Sequence, residues 1–378
     1  MPAPTLSELR ERAREQLPAP VWDFVEGGSG AERTLRDSEA AYRTPRLRPR
    51  VLVDVSTPDC SQELLGIRLA SPVCVAPMAY HRLMHPDGET ATAEGAGIAG
   101  SLLVTGIFAS RTLEDIAAAA AGPLWLQLYW LRRRDALTAL VARAEAAGYR
   151  ALVLTVDAPK VARRHRDLRN SFALPPGIGA PNLDPALTES THRATAGDSG
   201  IEAHSREQFD PRITWDDLAW LRERTPLPLV LKGILTAEDA RLAVEHGVDA
   251  LIVSNHGGRQ LDQAVPALEA LPDIVAAVPP RLPVLVDGGI RSGTDVAVAL
   301  ALGARAVLVG RPVLWGLACD GAGGVAYVLD LLRTELLETM VLSGRPTLDR
   351  LDASALDRRG DLPYPHPYSY RTDFRRNR

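Results

Sequence analysis

The sequence predicts a (β/α)8 barrel, and three features point to that fold. Short, continuously apolar runs recur eight times between residues 71 and 311, most are followed by a helix-like pattern, and polar residues end nearly every run. Continuous apolar character indicates parallel strands buried on both faces, and repeated strand–helix alternation is typical of this barrel. A doubly wound sheet is the alternative, but polar residues recurring at the strand ends favour one ring of loops.

The predicted elements follow from these patterns in chain order. Helical periodicity covers residues 89–99, 113–120 and 134–147, and further helices are predicted to begin near Thr236, Leu268 and Ser292. The eight predicted strands are SPVCVAP, LLVTG, LWLQLY, ALVLTVD, LPLVLKG, ALIVSN, PVLVDGG and AVLVGR.

Three segments lie outside this repeat within one predicted domain, residues 1–378. Residues 1–70 form an N-terminal extension whose first helix follows the capping-box pattern Thr5-x-x-Glu8; a short helix in VWDFVEGGSG and an extended connector over 43–52 come next. The segment over residues 158–213 is longer than an ordinary connection between a strand and the next element. We predict that it forms a mobile loop or lid. Residues 345–378 form a tail, and its end from residue 360 is predicted to be loose or packed on a neighbouring subunit.

Composition and charge argue against a nucleic-acid-binding or membrane protein. A net charge of −4 gives no basic field for nucleic acid. We expect no membrane partner, because no apolar run approaches the roughly 20 residues of a span. Three widely separated cysteines form neither a metal nor a disulfide pattern, and the N-terminus is charged rather than an apolar signal. Both features favour the cytoplasm.

Reactive side chains are expected where barrel strands end. His256 and Arg259 follow the sixth run; an imidazole takes a proton near neutral pH, and a guanidinium holds a carboxylate through two hydrogen bonds. Lys232, Asp157 and Asp287 end three other runs. Buried charges are costly unless paired, so this collection predicts a site rather than a purely structural barrel.

The last two runs predict a phosphate site. An Asp-Gly-Gly turn at 287–289 precedes Arg291, and Gly310-Arg311 ends the eighth run. Glycines expose backbone N–H groups near helix starts, and loops after strands seven and eight usually bind phosphate in this architecture. A phosphorylated cofactor is therefore predicted, with tight turns that merely need glycine as the alternative.

Several motifs in this order carry a family resemblance: SNHGGRQLD (254–262), LVDGGIRSGTDV (285–296), ALGARAVLVGRP (301–312), ARRHRDLRN (162–170), LTVDAP, LKGI, LWLQLYW and APMAYHRLMHPDGE. From about residue 6 to 318 the sequence resembles the FMN-dependent 2-hydroxy acid oxidases and dehydrogenases, the family of glycolate oxidase, lactate oxidase and mandelate dehydrogenase. Within that family it most resembles the hydroxymandelate oxidases. The resemblance implies a (β/α)8 barrel that binds FMN.

The resemblance also implies a reaction. An L- or S-2-hydroxy acid, aryl and mandelate-like, would be oxidised to the 2-oxo acid. The small Ala79 favours O2 as the electron acceptor, giving H2O2. A homotetramer or other homo-oligomer is expected. The sequence is compatible with direct hydride transfer and with carbanion formation.

Individual roles follow from the same resemblance. His256 would be the base at the substrate α-carbon or hydroxyl, and Asp157 would steady its imidazolium. Arg164 and Arg259 would bind the substrate carboxylate, with Tyr129 hydrogen-bonding near it. Oxidation beside a carboxylate needs such a clamp and such a base, together with an electron sink.

The remaining roles concern the flavin. Lys232 would stabilise the charge of the reduced ring at its N1–O2 edge. No metal ligands are predicted. The other predicted flavin contacts are Ala76, Pro77, Met78, Ala79, Gln127, Thr155 and Ser254, and the predicted ribityl and phosphate contacts are Asp287, Gly288, Gly289, Arg291, Gly310 and Arg311.

Two departures from the family pattern concern the substrate pocket. Phe24 stands where many relatives have Tyr, which removes a hydroxyl beside the carboxylate and suits an aryl substrate. Gly106 stands in VTGIFAS where relatives have a TLSS-like run, which removes a hydroxyl that would reach the flavin, and 107–108 are expected to alter the pocket wall. These changes motivate one alternative, oxidation of an amino, carrier-tethered or other biosynthetic substrate. Two further alternatives stay open: a dehydrogenase with a non-oxygen acceptor, and FMN binding without turnover.

Overall fold

The structure, a computed structural model, describes residues 5–183, 205 and 207–357. Eight parallel strands close into a barrel in the order β10-β3-β4-β5-β6-β7-β8-β9, which confirms the predicted (β/α)8 barrel and excludes a doubly wound sheet. The strands are β1 Gln62–Leu64, β2 Ile67–Leu69, β3 Val73–Val75, β4 Leu103–Gly106, β5 Leu124–Leu128, β6 Leu152–Thr155, β7 Leu229–Ile234, β8 Ala250–Val253, β9 Val284–Asp287 and β10 Ala306–Val309.

Helices surround the barrel, and hydroxyl side chains cap several of them. Thr236 accepts a hydrogen bond from the Asp239 N–H, and Ser292 accepts one from the Asp295 N–H, so two helices start where predicted. The α-helices are α1 Leu6–Gln16, α2 Ala19–Glu26, α3 Arg33–Ala40, α4 Glu89–Ile98, α5 Leu113–Ala119, α6 Arg134–Ala146, α7 His165–Arg169, α8 Asp217–Arg222, α9 Ala237–Glu245, α10 Ala267–Ala277, α11 Gly293–Ala301 and α12 Arg311–Leu342. Short 3-10 turns are Ala41–Arg43, His81–Leu83, His256–Gly258, Leu348–Arg350 and Ala353–Ala355.

The β1–β2 hairpin closes one end of the barrel. Its Leu64 and Leu69 are buried with the apolar side chains that point into the barrel, such as Trp125 and Ile252. The hairpin follows the amino ends of the strands, because Gln62 donates to the carbonyl just before β10, at 2.9 Å. Only the carboxyl ends therefore remain open to ligands. The sequence interpretation had not identified this hairpin.

Helix α12 was also not predicted and is a core element. Asp320 and Gly321 have non-helical backbone angles, so α12 consists of two helical pieces across a kink. By length and composition α12 could span a membrane, but 61% of its apolar window is buried, as in a core helix. It packs against α4, α11 and α1, and thereby joins the N-terminal extension to the barrel.

Two predicted flexible segments lie partly outside the described residues. Of the predicted loop over 158–213, residues 184–204 and 206 are not described, while 158–183 contain α7. Of the predicted tail, 358–378 are not described. Residues 345–357 pack on the chain's own connector, where the Arg48 N–H donates to the Ala355 carbonyl at 2.7 Å and the Asp357 N–H to the Arg46 carbonyl at 2.8 Å.

Candidate active site

A cavity at the carboxyl ends of the strands gathers the predicted site residues. All of them line it except Asp157 and Ser254, which lie directly behind it. The predicted residues at the cavity wall are Phe24, Ala76, Pro77, Met78, Ala79, Gln127, Tyr129, Thr155, Arg164, Lys232, His256, Arg259, Asp287, Gly288, Gly289, Arg291, Gly310 and Arg311. Residues spread over almost 290 positions of the chain therefore share one space, because parallel strands end on the same side of a closed barrel.

His256 lies at the centre of a hydrogen-bonded chain. Its Nδ1 is 2.9 Å from Asp157 Oδ1 and its Nε2 is 3.3 Å from the Tyr129 hydroxyl. A carboxylate accepts hydrogen bonds, so Asp157 favours the tautomer with the proton on Nδ1 and leaves Nε2 free to accept one. Gly233, with φ +110, makes room: a Cβ there would lie 2.6 Å from the Asp157 side chain.

The surroundings of Asp157 and Tyr129 keep the first ionised and the second protonated. Burial alone would raise the pKa of Asp157, but the His256 and Lys232 charges outweigh it, so the pKa lies below its ordinary value. Burial raises the pKa of Tyr129. At neutral pH Asp157 is therefore a carboxylate, and Tyr129 keeps a proton that it can donate.

Lys232 is a buried cation at the end of β7, the strand next to the one that leads to His256. Its Nζ is 3.0 Å from Asp287 Oδ2 and donates to Ser254 Oγ at 2.7 Å. Ser254 Oγ also accepts the His256 N–H at 3.0 Å. Ser254, which was predicted to line the flavin, thus occupies a supporting position between the ammonium and the imidazole.

The Gly106 departure has a packing explanation. A Cβ at Gly106 would lie 2.8 Å from the Met78 carbonyl oxygen, so the close approach of the β3 loop requires glycine there. Ile107 is fully buried and does not line the cavity, whereas Phe108 does. The expectation that both residues alter the pocket wall is therefore wrong for Ile107, because its side chain belongs to the apolar core.

Two guanidinium groups flank the Phe24 ring. The Cζ atoms of Arg164 and Arg259 lie 5.5 and 5.3 Å from its centroid, and the Phe172 ring stacks on it with centroids 4.5 Å apart. Arg259 donates to the Phe24 and Gly27 carbonyls, each at 2.8 Å. The C-terminal end of α2 thus orients one of the two predicted carboxylate-binding residues.

These guanidiniums form a field that favours an anion. Burial lowers the pKa of Arg259, and the charges of Arg164 and Arg311 lower it further. Arg164 is 7% exposed, and its Nη1 has no hydrogen-bond partner within the described residues. A carboxylate placed between them would relieve the repulsion and satisfy that donor.

Asp167 was not predicted from the sequence, although it is the carboxylate that pairs with Arg164. It is 2% exposed and lies 3.5 Å from Arg164 Nη1. Burial raises its pKa, while Arg164 and Arg259 oppose that rise. The available signal was the three-residue spacing Arg164-x-x-Asp167 at the start of α7, where Arg164 is the N-cap residue and Asp167 lies in the first turn.

Phe209 is a second missed residue. It lines the cavity and stacks on Tyr129, with ring centroids 4.5 Å apart. It follows a segment without periodicity, so nothing in the spacing indicated that its chain returns to the barrel mouth. An isolated bridge to Leu131 brings it there.

The other end of the cavity suits a phosphorylated group. Gly288 and Gly289 have φ of 91° and 84°, and Gly289 packs so tightly on the Ser38 carbonyl that a Cβ would overlap it. Arg291 pairs with Glu39 at 2.6 Å. Arg311 donates to the Val25, Gly27 and Gly257 carbonyls. The glycine cradle and these two cations fit an anionic group, and Asp287 Oδ1, which has no hydrogen-bond partner among the residues that the structure describes, fits a hydroxyl donor.

The chain was compared with known proteins and structures. Residues 13–358 match the FMN-dependent dehydrogenase family. The chain is 47% identical over 355 residues to an L-lactate oxidase of Nostoc sp., covering 93% of this chain and 97% of the relative. It is 48% identical over 340 residues to a 4-hydroxymandelate oxidase of Amycolatopsis orientalis, covering 90% and 94%.

A solved structure of mandelate oxidase with (S)-4-hydroxymandelic acid shares the fold. Its TM-score is 0.90 at 46% sequence identity, over 94% of this chain and 98% of that one. The family match spans nearly the whole chain, and the similar structure supports the same barrel. The chain belongs to the FMN-dependent dehydrogenase family, whose members include the 2-hydroxy acid oxidases.

Proposed function

We propose that this protein oxidises an aryl 2-hydroxy acid of the mandelate type to the 2-oxo acid, with O2 as the acceptor and H2O2 as the second product. One observation carries the proposal: His256 and the guanidiniums of Arg164 and Arg259 face a single cavity that also has an apolar, aromatic stretch of wall. The likeness to 4-hydroxymandelate oxidase and to mandelate oxidase supports the substrate class.

The chain's residues divide the cavity between cofactor and substrate. Gly288, Gly289 and Arg291 would hold the FMN phosphate end, and Lys232 would contact the ring where negative charge develops. When bound, FMN accepts the two electrons that leave the substrate α-carbon and passes them to O2. The 76–79 turn and Gln127, hydrogen-bonded to Thr155 at 2.9 Å, would support the ring.

The substrate carboxylate fixes the orientation of the reacting carbon. Arg164 and Arg259 bind it, and Tyr129 donates a hydrogen bond from the third side. Since these groups converge on one point, the α-carbon and its hydroxyl are directed toward His256 Nε2. Because the substrate is held in this orientation, the base and the reacting carbon do not have to meet by diffusion, which lowers the entropic part of the barrier.

His256 then removes a proton. Its Nε2 accepts the proton from the substrate hydroxyl or α-carbon, and the imidazolium that forms is stabilised by the Asp157 carboxylate, 2.9 Å from Nδ1. Two protons and two electrons leave the substrate in total, so the carbon–oxygen bond becomes a carbonyl. The base must therefore present an unprotonated Nε2, and the Nδ1 contact with Asp157 keeps the ring proton on the other nitrogen.

The apolar wall supports an aryl group over a small substituent. Phe24 offers a ring rather than a hydroxyl beside the carboxylate, and Phe108 and Tyr80 add further aromatic surface, their rings 6.2 Å apart. Ala79 at the cavity wall leaves space near the predicted ring position, which favours access of O2.

We further propose a cytoplasmic homo-oligomer. Cys60, Cys74 and Cys319 are free thiols, as expected in a reducing compartment; fractionation of cells that produce the protein tests this location. Leu52 is fully exposed and Leu342 is 73% exposed. Their segments adjoin, because the Arg50 N–H donates to the Ser343 carbonyl at 3.0 Å. Such an apolar patch is typical of a subunit interface.

Substrate class is tested by anaerobic mixing of the FMN-loaded enzyme with (S)-mandelate or L-lactate. We expect both acids to bleach the flavin absorbance near about 450 nm, mandelate with the higher catalytic efficiency. In air, peroxide should form in step with the 2-oxo acid. Bleaching by lactate alone would contradict the aryl assignment, bleaching without peroxide would indicate another acceptor, and no bleaching by either acid would favour an amino or tethered substrate.

Replacing Asp157 by Asn should lower kcat/KM for mandelate by about 100-fold, because the imidazolium loses its counter-charge. Steady-state rates at saturating O2 give the measurement. FMN content should stay at the wild-type level. Asp273→Asn, an exposed carboxylate on α10, is the matched control and should leave kcat/KM unchanged; equal rates for both variants would refute the role of Asp157.

The Arg291→Met variant should bind FMN about 10- to 100-fold more weakly, the range of one lost charge-assisted hydrogen bond. Titration of apoprotein, followed by quenching of flavin fluorescence, measures this change. Riboflavin lacks the phosphate, so its affinity should stay the same. An equal loss for both ligands would place Arg291 away from the phosphate, and Arg305→Met, an exposed arginine, should affect neither.

Leu52→Asp should shift the assembly toward smaller species, because burying a carboxylate in an apolar interface is costly. Light scattering coupled to size exclusion measures the mass. Asp54→Asn, which changes a neighbouring exposed residue, should keep the wild-type mass. A monomeric wild-type protein would show that this patch joins no subunits.

A further inference from the structure

The geometry points to Phe209 as a specificity-determining residue that selects an aromatic substituent on the substrate α-carbon. This inference rests on the proposed function and deepens it, because it names the side chain that distinguishes an aryl from an alkyl acid. Phe209 comes from the returning end of the long segment after β6, and no role at the site was expected for it from the sequence.

The direction of the substituent follows from the other three bonds of the α-carbon. In the proposed complex the carboxylate would point to Arg164 and Arg259, and the hydroxyl and the hydrogen would take the directions toward His256 and the cofactor. The remaining bond must point to the part of the wall that carries no charge. That part includes Phe108, Phe209 and the small side chains of Ala158 and Val161.

Three rings form a continuous surface on that side. Phe209 lies 4.5 Å from Tyr129, with 25° between the ring planes, and 5.9 Å from Phe108; Phe108 lies 5.7 Å from Tyr129. The Tyr129 hydroxyl is 3.3 Å from His256 Nε2. Phe209 is therefore one ring beyond the reacting position, where the aryl ring of a mandelate would reach and the methyl group of lactate would not.

The backbone holds Phe209 firmly in this place. The Arg132 N–H donates to the Gln208 carbonyl and the Asp210 N–H to the Trp130 carbonyl, both at 2.8 Å. These two hydrogen bonds flank Phe209 and tie it to the loop that carries Tyr129. The 4%-exposed Asp210 side chain also pairs with Arg134 at 3.1 Å and with Arg212 at 2.9 Å.

A fixed ring is a better selector than a mobile one. Phe209 is 3% exposed and its neighbours are already in place, so an incoming aryl group does not have to order the wall before it stacks. Stacking between two aromatic rings stabilises them more than burial alone does. It corresponds to a preference for an aryl over an alkyl substrate of roughly two- to tenfold. Loss of the whole ring also removes apolar contact area, which adds to that preference.

The test compares kcat/KM for (S)-mandelate and L-lactate in the FMN-loaded full-length enzyme. Phe209→Ala should lower the mandelate-to-lactate ratio by about 20-fold, with kcat/KM for lactate within about twofold of wild type. Phe209→Leu keeps apolar volume and should lower the ratio by only about threefold. The Leu variant also covers the case in which the Ala variant does not fold.

Leu183→Ala is the control from the same long segment. Leu183 is 5% exposed and does not line the cavity, so its truncation removes buried apolar surface away from the substrate and should leave the ratio intact. An unchanged ratio in both Phe209 variants, with wild type preferring mandelate, would overturn the role of Phe209 alone. A wild-type enzyme that oxidises no aryl acid would overturn the proposed function instead.

Discussion

Compensation of buried positive charge is the constraint on which the site depends. Lys232, Arg164, Arg259 and Arg311 all lie at one cavity with little access to water, where like charges repel strongly. Each has its own compensation: carboxylates for Lys232 and Arg164, and backbone carbonyls for the other two. The carbonyls belong largely to the C-terminal end of α2, where the helix dipole is negative.

This arrangement explains why the barrel needs its N-terminal extension. Without α2, the buried guanidiniums of Arg259 and Arg311 would lose most of their acceptors. Burial lowers the pKa of Arg311 to about 10, a sign that its charge is held against a real desolvation cost. The extension in turn is fixed by the barrel, since Glu26 accepts from the Trp315 ring N–H at 2.9 Å and from Arg10. The contacts that pack the N-terminal extension on the barrel therefore also position the arginines of the site.

Local signals in the sequence were enough for the barrel and for most of the cavity wall. Strand burial and helix caps at Thr236 and Ser292 are properties of short segments, so patterns in those segments predict them. The kink at Asp320 and the pairing of Phe209 with the β5 loop depend instead on distant parts of the chain. Periodicity carries no information about such contacts, and α12 shows the same limit because its burial is set by helices from both ends of the chain.

The Gly106 change shows why a residue type alone can mislead. From the sequence it suggested altered chemistry at the flavin, since a hydroxyl was missing. In the structure the Met78 carbonyl occupies the space that a larger side chain would need, so the glycine is required by packing. The polar side chain beside Gly106 is Gln127, which accepts a hydrogen bond from the Ile107 N–H at 3.3 Å and donates one to Thr155.

A single hydroxyl connects the base to the cation expected at the electron sink. His256 has φ of +60°, a conformation that costs a non-glycine residue on the order of 1 kcal/mol or more and persists only where its surroundings enforce it. Ser254 Oγ accepts the His256 N–H and the Lys232 ammonium together, so it holds the imidazole in that conformation while fixing Lys232. Because β7 and β8 are adjacent strands, the base and the cation expected at the electron sink are positioned by one pair of strands and share one hydroxyl.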